Sequence, residues 1–465
     1  MSQILAIAKL TVKEAVRFKL VALLAVFLIA AVTALPLLLK DDGTARGFAQ
    51  ILLTYSLGLT VTTLSFATLW LSCGLLARDI EDCRIQMIVV KPIARWKIWL
   101  GKWLGILILD AFLMIIAGGV IYGLLLYRAS SLPEKQQSIL QNEIFVARGV
   151  AKELPLDLEP TIEAVYQERL KQRAIESEVD KQELRRQIAE QVKYQYQLVP
   201  EGMMREWSIP LGMAADGLKD KPLYMRVEFI AMSHTSTFED TRSFPMMWEL
   251  GPANTPKSMR TVVMMVPNTP NELEIPPNLL DENGVLHIRF LNNQADTFFF
   301  DVNGGMEVLY RQGGFLVNYA KGLFVLFCWL ALLGAIGLSA SSFLSFPVAS
   351  FFAIFILIMG LSTSTMTQVI DEGGIAGVNH ETGRIDVQTP FDKATVYIFK
   401  VLRSAVNLVR DFSPVELLSQ GRTITWMMIF SAIGQIVIVS GGLFACLGIY
   451  CFSRRELALA KGGQS

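Results

Sequence analysis

Uncharged runs dominate the pattern of polar and apolar positions along this chain. Residues 20–39, 47–77, 322–370 and 423–453 carry no Asp, Glu, Lys or Arg, and 103–127 carries only Asp110. One membrane crossing takes about 20 apolar residues at ~1.5 Å rise to span a hydrocarbon core of ~30 Å. The run 322–370 is long enough for two crossings. Its middle holds Ser339, Ser341, Ser342, Ser345 and Pro347, which suit a tight turn. The pattern therefore predicts six transmembrane helices. Two further segments have helical amphipathicity without enough apolar length to cross. In 1–19, Ile4, Leu5, Ala8, Val12, Ala15 and Val16 share one face, and Lys9, Lys13 and Arg17 another. In 394–411, Ile398, Leu402, Ala405 and Val409 oppose Lys400, Arg403, Asn407 and Arg410. Both read as helices lying in the membrane interface.

Between the third and fourth runs the pattern changes twice. Residues 128–199 are charged and poor in glycine, with acid-then-base pairs such as Glu168/Lys171 and Glu190/Lys193 at i,i+3. Such pairs favour exposed helices, and Pro155 and Pro160 divide the stretch into two helical arms. Residues 200–312 read as short strands at 224–230, 246–250, 260–266, 285–291 and 297–302, separated by turn residues such as Asn283-Gly284 and Asn303-Gly304-Gly305. Strands at that spacing suggest a small β-sandwich. The expected fold is a multi-pass α-helical membrane protein of six transmembrane helices with an extracytoplasmic α+β insert. Its parts are an interfacial helix (1–19), spans 1–3 (20–127), helical arms (128–199), a β-sandwich (200–312), spans 4–6 (313–453) and a tail (454–465).

Composition supports the membrane class: 52% of the 465 residues are hydrophobic and the mean hydropathy is +0.42. The formal net charge is zero, which argues against a nucleic-acid partner. Basic residues set orientation. Lys9, Lys13, Arg17 and Lys19, then Arg78, Arg84, Lys91, Arg95, Lys97 and Lys102, then Arg454, Arg455 and Lys461 fall on one side of a six-span chain. That side is expected to be cytosolic, in a bacterial-type inner membrane, with both termini inside. Residues 371–422 would be outside despite Lys393, Lys400, Arg403, Arg410 and Arg422. The N-terminus lacks the apolar stretch and cleavage site of a signal peptide. The five cysteines all lie outside 128–315, and the histidines, His234, His287 and His380, are scattered, so neither a disulfide framework nor a zinc site is expected.

Catalytic chemistry is expected to be absent. A phosphate-cradling G-x-x-x-x-G-K-[ST] loop is approached only at Gly212 to Gly217, where Leu218 stands in place of the lysine. Gly337-Leu338-Ser339-Ala340-Ser341 superficially resembles a serine elbow, but small residues in a span serve close helix packing. Asp110 is an intramembrane carboxylate and so a functional candidate by default, or else a bundle-facing group bonded to a Ser, Thr or Tyr.

The segment 78–102 stands out between two uncharged runs. It holds Arg78-Asp79-Ile80-Glu81, then Lys91-Pro92-Ile93-Ala94-Arg95, then Gly101-Lys102. A charged helix joined rigidly to two spans would convert the movement of a soluble partner into span movement. With the amphipathic N-terminal helix and the closing Phe452-Ser453-Arg454-Arg455-Glu456, this segment makes the chain resemble the permease subunits of type-2 ABC exporters. The resemblance covers 1–127 and 313–460 and leaves 128–312 outside it. It implies a loop seated in a groove of a separate ATPase subunit, a second permease copy or paralogue, and ATP bound by that partner rather than by this chain. Arg78, Asp79, Glu81, Lys91, Pro92, Arg95, Gly101 and Lys102 are then the expected coupling residues. Two other readings stay open: an ATPase-coupled subunit that transmits force without moving solute, and a membrane-anchored binding protein.

Overall fold

The structure, a computed structural model, describes residues 3–17, 19–38, 45–82, 85, 93–130, 132–133, 136–137, 140, 144–155, 157–172, 178–232, 242–252, 258–302, 304–362, 370, 395–400 and 413–455. The chain divides into two compact units, Met1–Ala147 with Gly313–Ser465, and Arg148–Gln312.

The first unit is helical. Its main elements are α1 (Gln3–Arg17), α2 (Leu20–Leu38), α3 (Ala45–Glu81), α4 (Arg95–Ser130), α7 (Phe315–Phe343), α8 (Phe346–Leu361), the short α9 (Pro414–Ser419) and α10 (Trp426–Arg454). Between them, in the second unit, lie α5 (Glu159–Gln172) and α6 (Glu178–Gln197). Four of the helices, α3, α4, α7 and α10, are long and apolar enough to cross a membrane. A fifth crossing arises if α1 and α2, bent by 67°, act together. The bend follows from Lys19, whose φ of +54° cannot continue a right-handed helix. The protein is thus a multi-pass membrane protein. The expected turn in 322–370 is present: Leu344 and Ser345 are extended, and Pro347 starts α8. However, α8 has 16 described residues, or about 24 Å of helix, short of a ~30 Å core. The interfacial helix expected at 394–411 is helical over 395–400, and its remainder lies outside the described residues.

One strip of α1 packs against the bundle. Ile7, Ala8, Thr11 and Ala15 are buried, while Leu5 and Val16 are 46% and 54% exposed. Backbone proximity to α4 is the reason. A Cβ on Gly101 would stand 2.7 Å from Ile7 Cβ, and one on Gly105 2.7 Å from Thr11 Cβ. Gly101 and Gly105 form a G-x-x-x-G surface on α4, which lets the two backbones meet. Elsewhere the helices are joined by polar ties. Trp103 Nε1 donates to the Ala331 carbonyl (2.9 Å), Tyr319 Oη to that of Gly118 (3.0 Å) and Ser339 Oγ to that of Phe444 (2.5 Å). Ser339, in the stretch that resembles a serine elbow, is therefore a packing residue between α7 and α10. Nine residues of α10, Ile433–Gly441, wind as a π-helix.

In the second unit, α5 and α6 pack through Ile162, Ile188 and Val192. The expected helical arms are thus one paired set of helices. The strands are β1 (Val146–Ala151), β2 (Leu198–Val199), β3 (Met204–Pro210), β4 (Leu223–Val227), β5 (Ile230–Met232), β6 (Phe244–Leu250), β7 (Met259–Met265), β8 (Asn271–Ile275), β9 (Val285–Leu291), β10 (Thr297–Phe299) and β11 (Met306–Gly314). They form three sheets, ordered β1-β11-β4-β8, β2-β10-β5 and β3-β9-β6-β7, rather than the two of a sandwich. One buried core joins the three: Met225, Val227 and Val308 come from the first sheet, and with them pack the aromatic residues Phe298 of the second, Trp207, Trp248 and Phe290 of the third, and Phe229 and Phe300 beside the strands. Their rings meet edge-on or tilted at 5.1–6.3 Å, the favoured aromatic geometry. The outer sheet β4-β8 adds a buried Glu272 held between Arg148 (3.0 Å) and Arg226 (2.6 Å). The glycine-containing approach to an ATP loop, Gly212 onward, is a helical turn after β3.

Two outcomes are expected from this architecture. Gly105→Val should drive α1 off α4, because overpacking costs about 1–3 kcal/mol. Trypsin cleavage at Lys9 and Lys13 in detergent should then accelerate, and unchanged cleavage would mean the contact contributes little. The fragment 148–312 has no cysteine. Expressed alone, it should give a mixed helix–strand circular dichroism spectrum and a melting temperature indifferent to reductant; a coil spectrum would show that it folds only when attached to the helices.

Candidate functional site

Successive helical positions point about 100° apart, and positions three apart share a face, so at the end of α3 Asp79 reaches one neighbour while Arg78 and Glu81 reach another. Asp79 faces α4, where Lys102 Nζ meets its Oδ2 at 2.5 Å and also donates to the Leu75 carbonyl at 3.0 Å. The two side chains are 6% and 3% exposed. Arg78 lies over the Phe346 ring at 4.5 Å, and Trp70 meets the same ring edge-on at 5.2 Å. Glu81 Oε1 accepts the Phe346 N–H at 3.0 Å. That N–H belongs to the first turn of α8, where backbone donors lack partners and a negative charge is favoured.

Arg95 opens α4 and closes another helix. Its Nη1 donates to the carbonyls of Phe452 (2.9 Å) and Ser453 (3.0 Å), at the end of α10, and to that of Arg455 (2.8 Å) just beyond it. Arg455 in turn donates to the carbonyls of Ser341 (3.4 Å) and Ser342 (3.2 Å) at the end of α7. A helix C-terminus leaves carbonyls unpaired at the negative end of its dipole, which is where a guanidinium binds well. At this end of the bundle, α3, α4, α7, α8 and α10 are therefore tied by side chains that cap one another.

Of the expected coupling residues, Arg78, Asp79, Glu81, Arg95, Gly101 and Lys102 are brought together here, each engaged with a neighbouring helix. Lys91 and Pro92 lie outside the described residues. Gly101 serves the α1 contact. Arg455 was legible only as an orienting charge and as part of the closing run, and no pattern weighed in the sequence pointed to Phe346 or Gly105. A G-x-x-x-G spacing at 101–105 was the available signal for Gly105. Among the described residues at this end, Trp96 is 44% exposed, and Arg78, Glu81, Asp82 and Arg454 are exposed beside it.

Asp110 is 1% exposed. Its Oδ1 accepts the Thr68 hydroxyl at 2.9 Å, the bundle-facing arrangement weighed from sequence, and its Oδ2 has no partner among the described residues.

The second unit holds polar groups that sequence spacing does not reveal. On β3 and β9, Ser208 Oγ lies 3.3 Å from His287 Nδ1, and His287 Nε2 lies 3.3 Å from Asp281 Oδ2. Glu206 shares Nδ1 at 3.4 Å. Burial pushes the Asp281 carboxyl up, but the Val285 N–H, the His287 ring and the Asn283 N–H together hold it below its ordinary value. Hydroxyl, imidazole and carboxylate are in line, yet the contacts are long, and β3 and β9 pair residue by residue beside them. The group is a polar row on a strand face. Arg205 is sandwiched at 4.9 Å from Tyr196 and 4.6 Å from Trp207, and burial lowers its pKa. A groove of about 190 Å³ lined by Glu228, Phe229, Ile230, Phe299, Asp301 and Gly305 is smaller than the ~300–1,000 Å³ of small-molecule sites.

No protein-family model matches this chain, and no curated protein matches it.

The Asp79–Lys102 pair yields a sharp expectation. Breaking a buried ion pair at one partner costs about 3–5 kcal/mol, while replacing both by apolar groups of similar volume is often neutral. Asp79→Ala and Lys102→Ala should each destabilise the solubilised protein strongly. Asp79→Leu with Lys102→Met should recover most of that loss in thermal unfolding. Additive losses in the double variant would mean that the two charges act independently.

Proposed function

We propose that this chain is the permease subunit of an exporter driven by a separate ATP-hydrolysing subunit. On this reading it has six spans, with α2 and the region from α8 onward completing the count. The end of the bundle that carries Arg78, Arg95, Lys102, Arg454 and Arg455 is cytosolic, and the unit Arg148–Gln312 is outside. Two copies, or this chain and a paralogue, form the pathway.

The observation that carries the reading is the set of caps at the ends of α3, α4, α7, α8 and α10. A partner pressing on the segment between α3 and α4 would act on Glu81 and Arg95 at its two borders. Through Glu81 the displacement reaches α8, and through Arg95 it reaches α10 and then, by Arg455, α7. Hydrogen bonds to charged groups are worth about 1.5–3 kcal/mol each, enough to move helices as bodies rather than fray their ends. A loop that served only to orient the chain would not need its border residues to hold two other helices. The same caps also suit a subunit that transmits force to the outer domain without moving solute, so transport itself has to be measured.

The test begins with tagged wild-type chain purified from its native membranes, and an ATP-hydrolysing subunit should be recovered with it. Trp96→Ala should lower that recovery at least tenfold, since exposed aromatics are the usual anchors of an interface, and it should leave thermal stability unchanged. Arg95→Ala should keep the partner bound but reduce permease-stimulated ATP hydrolysis in lipid. Failure to recover any ATPase, or full recovery and stimulation in both variants, would overturn the reading.

A further inference from the structure

Among the described residues, the outer face of the β3-β9-β6-β7 sheet carries exposed side chains on both of its edge strands. Strand pairing places its residues in rows. Glu206 is opposite Arg289, Arg289 opposite Glu249, and Glu249 opposite Arg260. Neighbours along this row lie 4.0, 3.5 and 3.6 Å apart. Two residues along, the next row on the same face is Met204, Leu291, Met247 and Val262. Beyond it Pro245 stands opposite Met264. Met204, Val262 and Met264 are 57%, 59% and 58% exposed.

A face with one row of charges and one apolar ledge excludes several occupants. An anionic polymer or lipid headgroup layer would need a row of one sign, and this row alternates. A bilayer interior would not accept four charges. Alternation of this kind has a different property: read from its other end, minus-plus-minus-plus becomes plus-minus-plus-minus. We infer that this face is a contact between two copies of the chain, packed face to face about a two-fold axis that runs along the strands between β9 and β6. That axis places Glu206 against Arg260 of the second copy and Arg289 against Glu249 of the second copy. The same operation lays Met204 against Val262 of the second copy and Leu291 against Met247 of the second copy. One symmetry element satisfies both rows, as an isologous interface requires.

Size limits what the contact can do alone. Four strands at ~4.8 Å and seven residues at ~3.4 Å make a face of about 450 Å², below the ~800 Å² per partner of a free-standing complex. The contact therefore operates between copies already held in one membrane, where the effective concentration is high. In this it rests on the proposed pairing of two copies and adds where their outer units meet.

The experiment uses the full-length, cysteine-free chain in native membranes. Met204 and Val262 stand three strands apart, about 14 Å, beyond the reach of a disulfide within one chain. Met204→Cys with Val262→Cys should therefore cross-link only between copies, and oxidation should give a dimer band. Glu190→Cys on α6 should not. Glu206→Arg with Glu249→Arg turns the row positive and should reduce the cross-link at least tenfold. Co-expression with a chain carrying Arg289→Glu and Arg260→Glu should restore it as a mixed dimer, which also shows that both variants fold. Absence of the cross-link while native mass spectrometry finds dimers would overturn this interface and leave the pairing intact. A monomer throughout would overturn both. Equal cross-linking at Glu190→Cys, or capture of a different protein at Met204→Cys, would likewise overturn it.

Discussion

Every helix that ends at a membrane boundary leaves backbone groups without partners, and this bundle brings five such ends together. An unpaired buried carbonyl or N–H costs about as much as a lost hydrogen bond. With water scarce between packed helices, side chains must do the capping. Arg95 takes two carbonyls of α10 and that of Arg455 just beyond it, Arg455 takes two of α7, and Glu81 takes an N–H of α8. Each cap comes from a different helix than the one it closes. The requirement to satisfy ends thus becomes a set of links between helices, and the links decide which elements can move independently.

That use of charge changes what the segment around residues 78–102 can offer a partner. A guanidinium already holding three carbonyls is poorly placed to hold a carboxylate from another protein as well. Lys102 and Asp79, buried together, are further still from a docking role; their charges stiffen the seam between α3 and α4. Among the described residues, a partner at this end would instead meet Trp96 and the exposed side chains of Asp82 and Arg454. Asp79, Lys102 and Arg95 then act one step behind the contact, holding geometry while the neighbouring surface supplies affinity. Division of labour of this kind is expected where binding must displace helices without loosening them, since pairwise links of a few kcal/mol survive loads that would fray a bare helix end.

The membrane class and the order of the helices were legible because length and absence of charge are properties of single segments. The existence of a special segment at 78–102 was legible for the same reason. Its wiring was not. Arg95 meets carbonyls some 360 positions away, and nothing within either segment specifies the pairing. The second unit shows the same division. β6, β7 and β9 were visible as alternating or β-branched runs. β3 was hidden by Arg205 and Glu206 beside Trp207, and β8, Asn271–Ile275, is mostly polar because the sheet around Glu272 is held by ion pairs. The three-sheet arrangement could not be anticipated, since it depends on which residues distant in sequence share one core. Which strip of α1 packs on the bundle was not legible in α1 itself, because glycines on a different helix, Gly101 and Gly105, decide it.

The seam between α3 and α4 carries two buried carboxylates that are treated in opposite ways. Asp79 near its charged end has a lysine and is locked. Asp110, eight residues further along α4 than Lys102, has one hydroxyl donor and an oxygen with no partner among the described residues. An ion pair at one end and an under-satisfied acid in the middle make the seam unequal along its length. The locked end resists separation, because parting Asp79 from Lys102 would strand both charges. The middle loses only a single Thr68 hydroxyl bond on opening, and would gain if water or another donor reached Asp110. Were α3 and α4 to part, the physics favours a wedge that opens around Asp110 and pivots on Asp79–Lys102, with the capped helix ends as the fixed side of the hinge.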